Sequence, residues 1–354
     1  MDDDLRARRL ACKDSFLDNG LVRPAELLAS INPDVVADVY GAGGVVAKLE
    51  AHVAELLGKP AAVFLPSGTM AQGITLRVHA ERRGRRTVLW HPYAHLDQHE
   101  GQAYARLHGL IGRPVGWPEA LFTLADLEGV AEPAAAVLWE LPQRDLGGQL
   151  PEWDDLVAQT SWARDRGAAV HLDGARLWEA SAGYQRSPAE IAGLFDTIYV
   201  SFYKGVGALP GCCVAGSDAE VAQVREWRQR MGGTLFAMWP NAASALGLLP
   251  GTLAEMPARF EHAKAIARAL AGVPGIRPVP DPPQTPMMHL LLTVPRERYK
   301  ENARRLAEED GMWIWPNGIP TGDPDVLRFE LSVGRGALRH SAGEIASVLS
   351  RLLD

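Results

Sequence analysis

The sequence predicts an α/β protein in which a mainly parallel sheet is covered by helices on both faces and followed by a smaller α+β domain. Short apolar runs alternate with longer amphipathic ones from about residue 45, which is the order of strand–helix–strand units. Beyond about residue 248, a proline-rich stretch and shorter mixed elements replace that alternation. A chain of 354 residues suits two domains, at roughly 150 residues each. We therefore expect an N-terminal segment and large domain at 1–245 and a small domain at 246–354.

The individual elements follow from their residue patterns. The run at 45–57 has apolar positions at helical spacing and stops at Gly58, a typical helix end. Short apolar runs predict buried strands at 61–65, 87–90, 134–141, 168–172 and 197–202, with a helix at 153–166 between two of them. In the second domain the pattern predicts a helix at 258–271 after Pro257, strands at 289–294 and 326–332, and a closing helix at 341–353.

The composition argues against several classes of protein. Hydrophobic residues make up 47% and charged residues 22%, as in a globular protein with a large core. The net charge of -7 comes without a basic block, so a nucleic-acid partner is not expected. No apolar run approaches the roughly 18 residues that span a bilayer, and the acidic start is unlike a signal peptide. Cys12, Cys212 and Cys213 form neither a disulfide framework nor a zinc spacing, so we expect a reduced, cytoplasmic protein.

The segment PSGTMAQ joins a predicted buried strand to a helix. Gly68 allows a ligand to approach the backbone, and the amides at a helix N-terminus favour an anion. Ser67 and Thr69 add hydroxyl donors, so the turn suits a phosphate group. A serine before a helix is also a common N-cap, and the pattern alone leaves both interpretations open.

Two charged residues stand where buried strands end. Asp173 ends AAVHLD, at the strand end where ligands of open α/β sheets bind. This carboxylate could pair with a cationic ring nitrogen while Arg176 neutralises an anionic oxygen, or the two could form an ion pair that caps the next helix. Lys204 ends another strand, in SFYKG, where burial would depress the pKa of its amine and prepare it to attack an aldehyde. The alternative is a lysine that reaches solvent.

Three histidines, His91, His95 and His99, are spaced by four residues. On one helix this spacing would allow metal binding. Pro92 indicates instead that a strand ends at His91 and a new element begins, so His91 would not share a helix with the other two. We therefore expect no metal site.

Taken together and in order, these motifs resemble a known family. A phosphate-binding turn, an aspartate and a lysine about thirty residues later match the arrangement of pyridoxal 5′-phosphate (PLP) enzymes with the aspartate-aminotransferase-like fold. The sequence is similar to the low-specificity threonine aldolases and β-eliminating lyases through DVYGAGGVVAKLE, FLPSGTMAQ, AHLDQHEG, HLDGARLWEA, SFYKGVGALPG and RQRMGG. The resemblance covers about 38–233 and returns near Arg328. It implies fold type I, with a mainly parallel seven-stranded sheet and a smaller α+β C-terminal domain.

The resemblance also implies roles for individual residues. Lys204 would be the Schiff-base lysine, His95 would stack on the ring, and Asp173 would pair with the ring nitrogen. The residues implied to bind the cofactor are Ser67, Gly68, Thr69, His95, Asp173, Arg176 and Lys204. The residues implied to bind the substrate are Arg328, whose guanidinium fork suits a carboxylate, Arg176, Gln143 and Glu100. The family's proton-transferring base would be His95 or His99.

Three segments depart from the family pattern. The usual N-terminal RSDT is replaced by ACKDSF, so the contact that the RSDT serine of the family makes with the substrate carboxylate is left open. An ENTHNGG-like segment reads ELPQRDLGGQLP, so Gln143 replaces a histidine near the substrate hydroxyl, with Arg144 and Asp145 as further candidates. An arginine associated with the phosphate becomes Phe236, with Arg228 or Arg230 as candidate substitutes.

The predicted function is a PLP-dependent lyase that cleaves or forms the Cα–Cβ bond of β-hydroxy-α-amino acids, giving glycine and an aldehyde on cleavage. The alternatives are β-elimination or another amino-acid transformation in a specialised pathway, and a non-catalytic protein of the same fold. Trp139, Phe236 and Trp239 suggest a bulky, partly aromatic substrate, unless they belong to the core or to an interface. The resemblance further implies a homodimer or homotetramer with the active site at the subunit interface.

Overall fold

The computed structural model describes residues 3–354. Its helices are α1 (Asp3–Ala11), α2 (Pro24–Ala29), α3 (Gly44–Leu56), α4 (Gly68–Arg83), α5 (His95–Gln98), α6 (Ala103–Arg106), α7 (Leu124–Glu128), α8 (Trp153–Asp165), α9 (Leu177–Tyr184), α10 (Pro188–Ala192), α11 (Asp218–Arg230), α12 (Trp239–Leu270), α13 (Arg296–Glu309) and α14 (Ala342–Ser350). Its strands are β1 (Ala61–Leu65), β2 (Thr87–Trp90), β3 (Ile111–Pro114), β4 (Ala136–Glu140), β5 (Ala169–Gly174), β6 (Thr197–Ser201), β7 (Cys212–Gly216), β8 (Ile276–Val279), β9 (Met287–Thr293), β10 (Ile319–Pro320) and β11 (Val326–Ser332).

The large sheet has seven strands in the order β1-β7-β6-β5-β4-β2-β3. The neighbours from β6 to β3 are parallel, whereas β7 lies antiparallel to both β1 and β6. This confirms the predicted mainly parallel seven-stranded sheet. Strands β1, β4, β5 and β6 are buried almost throughout, which explains why they appear in the sequence as continuous apolar runs.

Two strands of the large sheet were not predicted. Strand β7 has the sequence CCVAG, whose small residues and glycine carry little strand propensity. It is nevertheless fully buried between β1 and β6, so tertiary packing determines its conformation. Strand β3 (IGRP) lies at the edge of the sheet and is mostly exposed, and it lacks an apolar run for that reason.

The second sheet contains four antiparallel strands in the order β10-β11-β9-β8. Buried and half-buried residues alternate along β11, as expected of a strand with one face on a core. The core on that face also includes Phe16 and Leu17 from the N-terminal segment, together with apolar residues of α13 and α14. This separate antiparallel sheet with its helices confirms the predicted α+β C-terminal region.

The chain divides into two compact units. One comprises the chain up to Arg23, Leu146–Gln149 and Ala254–Asp354, and the other comprises Pro24–Asp145 and Leu150–Leu253. We call them the C-terminal unit and the large unit. The N-terminal segment therefore packs with the C-terminal unit, whereas it was expected to belong to the large domain. The expected boundary at 245/246 falls inside α12.

The start of α12 was predicted wrongly. The helix was expected to begin after Pro257, but it begins at Trp239 and continues through Pro250 and Pro257. Each proline removes one helical hydrogen bond and usually ends a helix. The residues preceding these prolines, Leu249 and Met256, are buried, so apolar packing offsets the lost hydrogen bonds.

Candidate active site

A cavity of about 250 Å³ in the large unit opens where the strands of the parallel sheet end. Strands β4, β5 and β6 place Glu140 beside Asp173, and Asp173 beside Tyr199. The cavity is lined by Pro66, Ser67, Gly68, Thr69, Gln72, His95, Glu100, Asp173, Tyr199, Tyr203, Lys204 and Pro210. The fold thus brings together the predicted phosphate turn, the aspartate and the lysine, although they are far apart in the sequence.

The N-terminus of α4 has the features of a ligand site. Ser67 occupies the N-cap position, but its side chain makes no capping hydrogen bond, and the first turn contains no acidic residue. The first amides of a helix have no intrahelical partner and carry a partial positive charge. A Cβ atom at Gly68 would collide with the Tyr199 hydroxyl, so only glycine fits there. This turn therefore presents amides and hydroxyls to the cavity, as an anionic group requires.

Lys204 lies just beyond β6 and is half-buried. Burial lowers the pKa of its amine, and the neighbouring Arg176 guanidinium lowers it further, while Asp173 and Glu140 act in the opposite direction. A larger fraction of this amine is neutral than for a lysine in water, and the neutral form is the nucleophile. Asp173 is 3% exposed, and its Oδ1 accepts a hydrogen bond from the Ala175 amide at 3.0 Å.

Glu140, which the sequence analysis did not select, is a central residue of the site. It ends β4, and its carboxylate accepts hydrogen bonds from the His95 amide (3.1 Å), the Arg144 amide (3.2 Å) and Gln143 Nε2 (3.2 Å). Burial, together with the nearby Asp173 carboxylate, raises the pKa of Glu140 to about 7. Its position at the end of a buried apolar run was the sequence signal that could have identified it.

The three histidines have different surroundings. His95 lines the cavity and begins α5, and its Nδ1 lies 3.1 Å from Glu100 Oε1. His99 Nε2 lies 3.1 Å from Asp145 Oδ2, and His99 does not line the cavity. His91 precedes α5, and both its ring nitrogens bond to backbone atoms of Tyr93 and Ala120. Over residues 3–354 no cluster of histidine, cysteine or acidic side chains is suited to a metal ion.

Several predicted residues lie outside the cavity lining. Gln143 is buried, and its amide donates to Glu140 and to the Tyr93 carbonyl (3.0 Å). Arg176 is the N-cap residue of α9, close enough to affect Lys204 electrostatically. Arg328 lies in the C-terminal unit, where β11 pairs it with Leu291 and Ile319. These positions leave the substrate roles of all three residues as predictions.

The residues at the departures from the family pattern also have defined surroundings. Asp14 and Ser15 of ACKDSF bond within the C-terminal unit, Asp14 to Arg339 (2.8 Å) and the Ser15 hydroxyl to the Trp313 carbonyl (2.9 Å). The Arg228 guanidinium is held by the Phe64 carbonyl at 2.7 Å. Arg230 is exposed and paired with Glu226 at 3.0 Å. Neither arginine lines the cavity as a substitute for the missing one.

The aromatic residues do not support an aromatic substrate pocket. Trp139 is 2% exposed and packs against Phe122 and Phe195, and its Nε1 donates to Gln159 at 2.9 Å. Successive residues of a strand point to opposite faces, so Trp139 and Glu140 face different sides of the sheet. Of the two interpretations that the sequence left open for Trp139, its surroundings favour packing in the core. Phe236 is exposed and stacks edge-on against Tyr40.

Comparison with known proteins assigns this fold and site to a class of enzymes. The family model described as beta-eliminating lyase matches residues 29–292. The chain therefore belongs to the beta-eliminating lyase family, as its motifs predicted, and is an enzyme of the lyase class.

Individual relatives agree with that assignment. The chain is 35% identical to a Listeria monocytogenes protein assigned as an L-allo-threonine aldolase, whose crystal structure superposes with a TM-score of 0.91 over 99% of this chain and 98% of that one. It is 32% identical to Aldolase vrtJ of Penicillium aethiopicum over 71% of this chain and 66% of that protein. It is 26% identical to the low-specificity L-threonine aldolase 1 of Arabidopsis thaliana, over 83% of this chain and 85% of that protein. The near-complete structural match confirms the predicted fold type I.

Proposed function

We propose that this protein is a PLP-dependent aldehyde-lyase that cleaves the Cα–Cβ bond of β-hydroxy-α-amino acids, giving glycine and an aldehyde. The proposal rests on one observation, the set of groups that line the cavity. Lys204, whose amine has a lowered pKa, lines the same cavity as Asp173 and the uncapped N-terminus of α4. The similarity to an L-allo-threonine aldolase and to low-specificity L-threonine aldolases supports this reaction over others of the family.

The donor set of the cavity fits PLP at three points. The α4 N-terminus, with Ser67, Gly68 and Thr69, offers amides and uncommitted hydroxyl donors to a phosphate. Lys204 supplies the amine that joins the cofactor's aldehyde, and Asp173 supplies the carboxylate for its ring nitrogen. Gly68, where a Cβ atom would collide with the Tyr199 hydroxyl, places no side chain between this turn and a phosphate.

When bound, PLP withdraws electrons from the Cα atom of an amino acid joined to it, which allows the Cα–Cβ bond to break. The protein contributes proton transfer and orientation. His95 Nδ1–H donates to Glu100, so Nε2 is the ring nitrogen that can accept a proton. We assign His95 as the base that removes the proton of the β-hydroxyl group. The Cα–Cβ electron pair then stays with Cα, Cβ becomes the aldehyde carbon, and a proton returned to Cα completes glycine.

Glu140 holds the base in place. Its carboxylate accepts the His95 amide at the start of α5 and the Arg144 amide beyond β4, so one buried group links the two segments. We propose that Arg176 binds the substrate carboxylate through guanidinium hydrogen bonds, and the carboxylate-binding role of Arg328 stays a prediction of the sequence. Gln143 would act near the substrate by fixing Glu140, because its amide already donates to that carboxylate.

The second candidate reaction is β-elimination, because the matching family model is described as beta-eliminating lyase. Incubating the purified protein with threonine, allo-threonine, phenylserine and serine separates the two. We expect glycine and the matching aldehyde from one or more β-hydroxy substrates. A keto acid with ammonia would indicate elimination instead. Since Trp139 lies in the core, we expect no strong preference for phenylserine.

Lys204 can be tested directly. Borohydride reduction of the cofactor-loaded protein, followed by peptide mass spectrometry, should place the cofactor on the peptide that contains Lys204. Lys204→Ala should abolish both this label and turnover, while leaving the circular dichroism spectrum of the fold unchanged. A label on another lysine in the wild-type protein would contradict the assignment.

We further propose a cytoplasmic homodimer or homotetramer with its active sites at subunit boundaries. Tyr40 and Phe236 form an exposed aromatic pair, and Leu235 beside them is also exposed, which supports a contact surface on the large unit. Light scattering of the purified protein measures the assembly.

Across residues 3–354 no helix has the length and apolar character needed to cross a membrane.

A further inference from the structure

A buried chain of hydrogen bonds runs beneath the floor of the cavity. His79 Nε2 lies 2.8 Å from Thr197 Oγ1, and the same hydroxyl lies 2.8 Å from His171 Nδ1. His171 Nε2 in turn lies 2.7 Å from Gln72 Oε1. All four side chains are at most 1% exposed, and they come from α4, β5 and β6. This series of hydrogen bonds ends at Gln72, which is the only one of the four residues that lines the cavity.

Both histidines in this chain are neutral. Burial lowers the pKa of His171 to about 3 and that of His79 well below its usual value, so each ring carries a single N–H at neutral pH. The guanidinium of Arg83, which can only donate, approaches His79 Nδ1 at 3.5 Å. With that nitrogen as the acceptor, His79 donates to the Thr197 hydroxyl, and this hydroxyl donates to His171 Nδ1. His171 Nδ1 also lies 3.2 Å from the Thr197 carbonyl oxygen, but Nε2 is closer to the Gln72 oxygen, at 2.7 Å. We therefore assign the single N–H of His171 to Nε2, which donates to Gln72. The amide oxygen is then occupied and the amide nitrogen faces away from the chain.

The Gln72 Nε2 atom has no hydrogen-bond partner, although the residue is 1% exposed. A buried donor left without an acceptor costs roughly 1–3 kcal/mol. Gln159, a second buried glutamine, shows the usual outcome, because its oxygen accepts from Trp139 and its nitrogen donates to the Phe122 carbonyl at 3.3 Å. The Gln72 side chain is held in place through its oxygen and lines a ligand cavity. Its free N–H group is therefore positioned to donate a hydrogen bond when a ligand is bound.

We propose that Gln72 is a further cofactor-positioning residue, whose amide donates a hydrogen bond to the ionised Asp173 carboxylate once that carboxylate faces the cofactor's ring nitrogen. The inference rests on the proposed PLP function. His171, which orients Gln72, lies two residues before Asp173 in β5, so the two side chains share a face of the sheet. A donor at this place stabilises the carboxylate in its charged form, which is the form that keeps a ring nitrogen protonated.

The test measures the affinity of PLP for the apoprotein by quenching of tryptophan fluorescence. Gln72→Leu should weaken binding about 10-fold, since hydrogen bonds to charged groups commonly contribute that much. Gln159→Leu is the matched control, because it removes an equally buried glutamine outside the cavity. It should lower the melting temperature of the apoprotein and leave PLP affinity unchanged.

Gln72→Glu gives a readout that a merely structural role would not produce. A protonated glutamic acid can donate to Asp173, whereas an ionised one repels it. The variant's PLP affinity relative to wild type should therefore be close to one at pH 6 and fall at least 10-fold by pH 8.5. The other ionisable groups around Gln72 and Asp173 are present in both proteins, so their own effects on PLP binding divide out of this ratio. They are His95, Glu100, Glu140, His171, Asp173, Arg176, Tyr199, Tyr203 and Lys204.

The outcomes separate the two proposals. If wild-type apoprotein does not take up PLP at all, the proposed function is wrong, and this inference with it. If wild type binds PLP, but Gln72→Leu binds it equally well or the Gln72→Glu ratio does not change with pH, only the role of Gln72 is overturned. Loss of affinity in Gln159→Leu as large as that in Gln72→Leu would show a general loss of structure and would also overturn the inference.

Discussion

Ser67 and Ser217 begin two helices of the large unit in different ways. The Ser217 hydroxyl caps α11 by accepting the Glu220 amide, and the Glu220 side chain accepts the Ser217 amide in return. Ser67 precedes α4 without any side-chain capping bond, and Met70 stands where Glu220 stands in α11. The capping box satisfies its helix end internally, whereas α4 leaves its end for a ligand. The residue three places after the serine distinguishes the two arrangements.

Met70→Glu should have the largest effect, because it gives α4 the acidic residue that α11 has. A carboxylate there would occupy the helix end and repel a phosphate, and at short range in a partly buried site this amounts to about 4 kcal/mol, or roughly 1000-fold in PLP affinity. Met70→Gln is the control of matched shape, and it should retain most of the affinity. Equal losses in both variants would show that packing around Met70 matters, and would contradict the electrostatic explanation.

Glu140 and Glu190 extend the comparison to carboxylates that accept backbone amides. Burial raises the pKa of Glu140 to about 7, so the folded apoprotein binds more protons than the unfolded chain between about pH 4.5 and 7. Wild-type stability then falls with rising pH across that window and levels off above it. We expect the free energy of unfolding of Glu140→Gln, minus that of wild type, to rise by about 3 kcal/mol from pH 4.5 to 8. Urea denaturation at each pH measures this difference.

Glu190, in the capping box of α10, should show the opposite sign. The Ser187 amide holds the pKa of this exposed carboxyl below its usual value, so its contribution is present at neutral pH and lost as the pH falls below about 4.5. Glu190→Gln should accordingly be less stable than wild type at pH 7 and equally stable in acid. If the stability difference between variant and wild type changed with pH in the same direction for both variants, the distinction between a buried site carboxylate and an exposed cap would be contradicted.

Ser67→Ala and Ser217→Ala should show the smallest effects, and these should differ in kind. Ser67→Ala removes one phosphate donor and should weaken PLP binding about 10-fold without lowering apoprotein stability. Ser217→Ala removes a cap and should cost about 1 kcal/mol of stability without changing PLP affinity. Thermal unfolding of the apoprotein and a PLP titration check both variants. A stability loss in Ser67→Ala would show that its hydroxyl does cap the helix.

The sequence predicted the large sheet well because its strands are buried on both faces and its motifs stand at strand ends. Strands β1 and β2 were predicted at their observed bounds, and the residues of the phosphate turn, Asp173 and Lys204 all line one cavity. Strand β7 and the early part of α12 were missed, because burial there overrides weak strand propensity and two prolines. These are effects of tertiary packing that local patterns do not contain.

Within the site, residues without a distinctive sequence pattern were missed. Glu140 ends an apolar run much as Asp173 does, but only the fold shows that the two carboxylates are neighbours. Gln72 is an ordinary polar residue in a helix until its nitrogen is seen to lack a partner. For Trp139 the sequence left a substrate contact and a core position open, and strand alternation directs its side chain into the core.

The three cysteines make the protein convenient for spectroscopic labelling. Cys12, Cys212 and Cys213 are all reduced and buried, and burial raises the pKa of each thiol, which slows alkylation. A single cysteine introduced on an exposed surface of each unit would therefore react with maleimide dyes well ahead of the native thiols. Energy transfer between the dyes of such a doubly labelled protein would test whether the distance between the two units changes when an amino acid binds.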